Sequence, residues 1–214
     1  MSEAGYEIMA RDTELAHGAG TAQSGRTGSS WGQRLLGRFR RKRTRLDAAH
    51  RLYAALVDQA RQPVFYADWG VPDSRDGRLE LVSLHAILLM RRLRDEGQAG
   101  QELAQSLFDL MFEDLDRHLR EWGVGDLSVG KQVRKLAQSF LGQAAALDPL
   151  LAAGDRVGLE DVLRRNVYTE VAAPQPTGVG LLADYVLGQE RWLAAQDGAA
   201  LLTGTVRFPT ATGA

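Results

Sequence analysis

The stretch LVSLHAILLM, residues 81–90, is apolar almost all round. A helix of this kind belongs at the centre of a core, and we expect one from Leu79 to Leu93. It is too short to cross a bilayer and has charged residues at both ends. His85 lies in its middle, where a hydrogen-bonded core histidine that ties two helices together is more common than a metal ligand.

Amphipathic patterns on both sides of this stretch predict further helices. Apolar residues recur at helical spacing over residues 46–62, 101–122, 129–147, 159–167 and 181–195. Short breaks separate these segments, and the composition is rich in Ala, Leu and Arg. We therefore expect an all-α fold: an irregular bundle of about six helices, with a disordered basic N-terminal arm. The predicted divisions are a flexible arm at 1–45, a helical domain at 46–209 and a tail at 210–214.

The N-terminal arm differs in charge from the rest of the chain. Residues 1–30 are rich in Gly, Ser, Thr and Ala without hydrophobic periodicity, which predicts disorder. Residues 31–45 form a short basic amphipathic segment, with Trp31, Leu35 and Phe39 on one helical face. Basic residues surround that face: Arg34, Arg38, Arg40, Arg41, Lys42 and Arg43.

This charge asymmetry suggests an anionic partner for the arm. Positions 15–46 contain no acidic residue and carry a charge of +8. Since the net charge of the chain is -1, the other residues together carry -9. The arm could bind an anionic membrane surface or ribosomal RNA. A solvated linker whose apolar residues dock on the body is the alternative.

A long aromatic stretch, PVFYADWGVPDSRDG at 63–77, follows the first predicted helix of the domain. Its prolines, glycines and aromatic residues predict a structured loop. Large aromatic side chains in a loop are usually packed on the core, but they also serve as interaction anchors. We hypothesise that Phe65, Tyr66 and Trp69 contact a partner protein.

The predicted helix at 101–122 carries many acidic side chains. Asp109, Glu113, Asp116 and Arg120 share one face, and Asp114 lies four residues before His118. We expect a solvated or partner-binding acidic surface. A metal-dependent or acid/base enzyme that uses this helix is the alternative.

The glycine-rich turn after the acidic helix, Gly125 to Gln132, resembles a phosphate-binding loop but lacks two of its features. Gln132 replaces the Ser or Thr whose hydroxyl binds magnesium, and the preceding element is a helix where a buried strand is required. Nucleotide binding is therefore not expected.

The same turn leads to structural predictions. Gly123 is expected to end the acidic helix, and Asp126 or Ser128 to cap the next one. Gly130 in the first turn of a helix suggests that another backbone approaches closely there. Lys131 near a helix N-terminus opposes the macrodipole and should have an anionic partner.

The sequence contains no catalytic constellation that we recognise. The absence of cysteine excludes disulfides, thiolate catalysis and cysteine-ligated metals. The Glu-x-x-His pairs of di-iron bundles and the nucleophile elbow of hydrolases are also missing. We predict no catalytic residues, no metal and no cofactor, and hence a protein that is not an enzyme.

Several motifs in order resemble the ubiquinol-cytochrome c chaperone family, assembly factors for the cytochrome bc1 complex. They are QPVFY at 62–66, GVPD at 70–73, DGR at 76–78, LH at 84–85, GVGDLSVGK at 123–131, LRRNVY at 163–168 and TGTVRFP at 203–209. The resemblance covers most of residues 46–209 and leaves the basic arm outside. The combination is specific, although no single motif would be.

The resemblance implies a role in holding newly made cytochrome b until haem and partner subunits are added. Family members in mitochondria act with a small partner and near the ribosomal exit tunnel, whereas this chain resembles the compact bacterial form. The expected partners are apocytochrome b and, through the arm, a membrane or the ribosome, with no DNA. The expected location is the cytoplasm, peripheral to the inner face of the membrane, or the mitochondrial matrix in a eukaryote. The alternatives that remain are the enzyme and an RNA-binding module that uses the arm.

Overall fold

The structure is a computed structural model that describes residues 28–172 and 174–211, with side chains for 42–126, 128–172 and 174–211. These residues form eight helices and no strand. In chain order the helices are α1 (Gly28–Ala60), α2 (Pro63–Ala67), α3 (Arg75–Arg94), α4 (Gly97–Glu121), α5 (Asp126–Ala153), α6 (Arg156–Asn166), α7 (Pro176–Ala194) and α8 (Gly198–Leu202). Six of them have eleven or more residues, which confirms the predicted all-α bundle of about six helices.

The chain divides into Met1–Arg43 and a larger compact unit, Thr44–Ala214. Helix α1 begins at Gly28, within the predicted N-terminal arm. Residues 1–27 lie outside the described part of the chain, as do the side chains of Trp31, Leu35 and Phe39 and of the basic residues between 31 and 41.

Helix α3 is the centre of the larger unit, as its apolar sequence predicts. Residues 83–89 are all buried, and α3 packs against α4, α5, α7 and α8. Ser74 caps the start of the helix by accepting a hydrogen bond from the Gly77 amide at 3.1 Å. At the other end, Arg92 donates to the Leu193 and Gln196 carbonyls at 3.0 and 2.9 Å and so ties α3 to the end of α7.

A chain of hydrogen bonds through the core has His85 at its centre. The Nδ1 of His85 donates to the Leu81 carbonyl at 2.7 Å, and its Nε2 accepts from the Tyr185 hydroxyl at 2.7 Å. The amide of Gln59 donates to Tyr185 and to the Pro209 carbonyl, each at 2.8 Å. Burial lowers the pKa of His85 to about 4, so the ring is neutral. Through these bonds His85 joins α3 to α7.

The joint between α4 and α5 ends α4 in a Schellman motif. Gly123 has φ +81°, its amide donates to the Arg120 carbonyl at 3.0 Å, and the Val124 amide donates to the Leu119 carbonyl at 3.1 Å. Gly123 therefore ends the helix as predicted.

Other predictions at this joint are wrong. Gly125 is the N-cap residue of α5, and neither Asp126 nor Ser128 caps it through a side chain. A Cβ at Gly130 would meet nothing within 4 Å, so no backbone from another described element approaches it. Lys131 forms no ion pair with any residue whose side chain the structure describes.

Candidate functional site

The aromatic stretch after α1 is largely part of the core. Its first residues form the short helix α2, where a loop was predicted. Phe65 and Trp69 are buried and pack edge to face with Tyr185, with ring centroids at 5.1 and 5.6 Å. Side chains in this position are not available to a partner, so the predicted contact of Phe65 and Trp69 with a client does not fit the folded structure. Tyr66 is half-buried and reaches a surface groove.

This groove has a volume of about 810 Å³ and is bounded by α1, α2, α3, α4 and α5. Its floor is apolar and comprises Val57, Leu79, Val82, Met111, Leu115, Leu119 and Leu136. A volume of this size lies within the range of ligand pockets in proteins. Apolar floors with a few polar groups at the edge are typical of binding sites, and we take this groove as the candidate functional site.

Tyr53 and Asp114 form the most ordered part of the wall. The Tyr53 hydroxyl donates to Asp114 at 2.9 Å, and burial together with this carboxylate holds the pKa of Tyr53 well above its usual range. Asp114 also accepts from Arg117 at 3.2 Å and lies 3.5 Å from the Nδ1 of His118, which is the pair expected from their spacing. This network fixes α4 against α1 and keeps the phenol protonated, so the wall offers hydrogen bonds rather than a nucleophile.

The mouth of the groove combines aromatic rings with cations. Trp122 is 49% exposed and contacts two groups: the Arg75 guanidinium lies 5.1 Å from its ring centroid, and the stacked His118 ring has its centroid 5.9 Å away. Arg78 lies 5.8 Å from the ring of Tyr66. Cation–π contacts of this kind contribute about 0.5–1 kcal/mol at exposed sites. They hold Trp122 and Tyr66 in defined positions at the edge of the groove.

Most of the predicted acidic residues lie away from the groove. Asp109 accepts from the Gln105 amide, and Glu113 is exposed. Arg120 bridges Asp116 and Asp126, donating to each at 2.6 Å, and lowers the pKa of Asp116. This bridge links the end of α4 to the start of α5, which is a structural role. Among the acidic residues singled out from the sequence, Asp114 alone lines the groove in the described structure.

No group of three or more His, Asp or Glu residues that could hold a metal ion occurs in the described part of the chain. Glu80 is a half-buried acid whose pKa is raised to about 7 by burial, and its carboxylate accepts from the Gln143 amide at 3.1 Å. Its other neighbours are Ser83, Ser139 and apolar side chains beneath the groove floor.

Several groove residues were not singled out from the sequence. They are Tyr53, Val57, Arg75, Arg78, Trp122 and Lys135. The exposure of Trp122 could have been predicted from the sequence. This tryptophan comes directly before the glycine that ends an amphipathic helix, so few residues of that helix remain for its side chain to pack against. The other five residues occupy helix positions that are equally typical of solvated or core side chains. Only the folded structure shows that they meet at one groove.

Comparisons with known proteins agree with this architecture. Residues 67–208 match the family model described as ubiquinol-cytochrome C chaperone. The chain is 26% identical over 160 residues to a Xenopus laevis protein named ubiquinol-cytochrome-c reductase complex assembly factor 1, with 74% of this chain and 79% of that protein covered. Its human counterpart is 26% identical over 162 residues, which span 75% of this chain and 54% of the human protein.

A solved structure is also similar over most of the chain. The crystal structure of the Cbp3 homolog from Brucella abortus superimposes with a TM-score of 0.73 at 36% sequence identity. The match covers 83% of this chain and 97% of that one. The family model spans the end of the aromatic stretch from Ala67, α3, the α4–α5 joint and most of the C-terminal extended segment, and it begins after α1, which also contributes to the core network and the groove. The chain belongs to the ubiquinol-cytochrome c chaperone family.

Proposed function

We propose that this protein is an assembly factor of ubiquinol-cytochrome c reductase that holds newly made cytochrome b, without itself catalysing a reaction. Relatives named as assembly factors of that complex support the first part of the proposal. The observation that carries the second part is the groove, which presents an apolar floor to solvent beneath an aromatic and charged edge.

The groove fits this role for a physical reason. A membrane subunit that has not yet assembled exposes apolar helix surface, which aggregates in water. Covering one apolar face requires an open apolar surface with anchoring aromatic groups, and Trp122 and Tyr66 are of the residue types that dominate binding energies at interfaces. A groove that binds and releases such a segment needs no catalytic group.

The proposed place of action is the membrane surface where the client is inserted, on the cytoplasmic side in a bacterium. None of the helices in the described residues is both long and apolar enough to cross a bilayer. Lys42 and Arg43, the described end of the basic arm, are exposed. Binding of the arm to anionic lipid or to the ribosome remains a prediction. Deletion of residues 1–45 should weaken binding to anionic liposomes at low salt.

Two exposed tryptophans allow a matched test. Trp122→Ala removes an anchor of the groove, whereas Trp192→Ala removes a tryptophan of similar exposure, 47%, that lies outside it. In cells that lack the native protein, we expect Trp122→Ala to reduce both co-purified cytochrome b and assembled reductase, and Trp192→Ala to leave both near the wild-type level. Thermal unfolding of both variants checks that they fold.

A second groove variant guards against a weak effect of a single substitution. Val57→Asp places a charge on the apolar floor at a half-buried position and should abolish capture. Unchanged co-purification of cytochrome b by folded Trp122→Ala and Val57→Asp variants would rule out the groove as the client site. Normal reductase assembly in cells without the protein would rule out the proposed function.

A further inference from the structure

We infer that the groove takes one helix of its client, apolar along one face and edged with acidic side chains. This inference rests on the proposed function and adds the chemistry of the bound segment. The charges around the groove, its walls and its volume support this inference.

The cations at the edge of the groove outnumber the acids available to neutralise them. Arg61, Arg75 and Lys135 line the groove and form no ion pair with any described residue. Arg78, the fourth cation, pairs with Asp73 at 2.6 Å. Three cations beside an apolar surface therefore have hydrogen-bonding and charge capacity to offer a ligand.

The acids at the edge are mostly engaged elsewhere. Asp114 accepts from Tyr53 and Arg117 and lies beside His118. Asp76 lies in the first turn of α3, where its charge compensates the helix macrodipole. Asp58 is exposed and forms no ion pair with a described residue. Asp76 likewise forms no ion pair with a described residue, so an acidic ligand group would meet three unpaired cations against two unpaired acids, and a basic group would meet net repulsion.

The walls favour a helix over an extended segment. The described residues contain no strand, so the groove offers no sheet edge to which a peptide could add. Its apolar floor runs between helices, which is the arrangement that accepts the apolar face of another helix. A volume of about 810 Å³ holds several side chains. Trp122 and Tyr66 flank this space and would pack on both edges of the bound face.

Synthetic helical peptides test this chemistry on the purified full chain. Three peptides share one apolar face and carry Glu, Gln or Lys along its edges. At low salt we expect the Glu-edged peptide to bind about tenfold more tightly than the Gln-edged one, and the Lys-edged peptide to bind most weakly. The preference should shrink in about 0.5 M salt, since exposed charges are screened. Fluorescence anisotropy of labelled peptides measures the affinities.

Neighbouring residues on α5 provide the control. Lys135 lines the groove, whereas Arg134 is exposed outside it. The double variant Arg61→Gln/Lys135→Gln should lose most of the preference for the Glu-edged peptide and still bind the Gln-edged one. Arg134→Gln, which removes one positive charge of the same kind, should behave as wild type.

Several outcomes would overturn the inference. Equal affinity for the three peptides, an equal loss of preference in Arg134→Gln, or no peptide binding would each do so. If the peptides bind without charge preference while reductase assembly still depends on Trp122, the charge rule fails and the proposed function stands. If neither cytochrome b capture nor assembly depends on the groove, the proposed function fails irrespective of peptide affinities.

Discussion

Glu80 makes the stability of this protein depend on pH. Its carboxylate lies between α3, α4 and α5, where burial raises the pKa from 4.5 to about 7. The folded state therefore binds a proton that the unfolded state has already released between these pH values, and stability falls as the pH rises through this window. Above about pH 7 the folded protein carries a half-buried carboxylate with Gln143 as its hydrogen-bond donor among the described residues.

Glu80→Gln should remove this loss. A pKa change of this size corresponds to about 3 kcal/mol, and we expect about 2 kcal/mol after allowing for the partial exposure of the side chain. Glutamine keeps the shape and can accept the hydrogen bond from the Gln143 amide. The variant should therefore exceed wild type by less than about 1 kcal/mol at about pH 5 and by about 2 kcal/mol at about pH 8.

Urea unfolding of both proteins at the two pH values measures the effect. His85 also titrates, because its lowered pKa makes stability fall as the pH drops from 6.5 towards about 4. That contribution is common to wild type and variant, so their difference at each pH isolates Glu80. Glu113→Gln, which neutralises an exposed acid on α4, should show no such difference. An equal gain at both pH values, or none at the higher one, would refute the assignment of a buried, protonated carboxyl.

Three further substitutions test the packing, each by urea unfolding. Gly130→Ala should stabilise the protein by about 0.5–1 kcal/mol, because the added methyl meets open space in a helix; destabilisation would reveal an unseen close contact. Gly100→Ala should destabilise by about 2 kcal/mol or more, since its Cβ would lie 1.9 Å from the Leu93 carbonyl oxygen; a neutral result would contradict this packing. Tyr185→Phe should cost about 1–3 kcal/mol because it leaves buried His85 without its donor, and an unchanged stability would contradict that bond.

The helices could be predicted because their apolar periodicity is strong. The apolar run around His85 has no polar face, which predicts a central position for its helix. A buried imidazole also needs a hydrogen-bond partner, and Tyr185 is that partner. The helix end at Gly123 was equally predictable, because a glycine after a long amphipathic helix favours the left-handed conformation observed there. These are local signals whose meaning changes little with the tertiary structure.

The groove could not be predicted because it depends on contacts between distant segments. Whether Phe65 and Trp69 face a partner or the core is decided by Tyr185, more than a hundred residues later. Similarly, Arg75 reads as an ordinary helix-start residue until α4 brings Trp122 against it. Composition shows that such side chains exist, but their exposure is a property of the assembled helices.

The α4–α5 joint sets the distance between two walls of the groove. Leu115, Leu119 and Val129 form a small cluster apart from the main core among the described residues, so opening this end exposes less apolar surface than opening the main core. Leu115 and Leu119 also line the groove, so they contribute both to this cluster and to the groove floor. The Schellman turn at Gly123 and the Arg120 bridge from Asp116 to Asp126 hold the end of α4 against the start of α5, and the joint thereby fixes the geometry of this end of the groove.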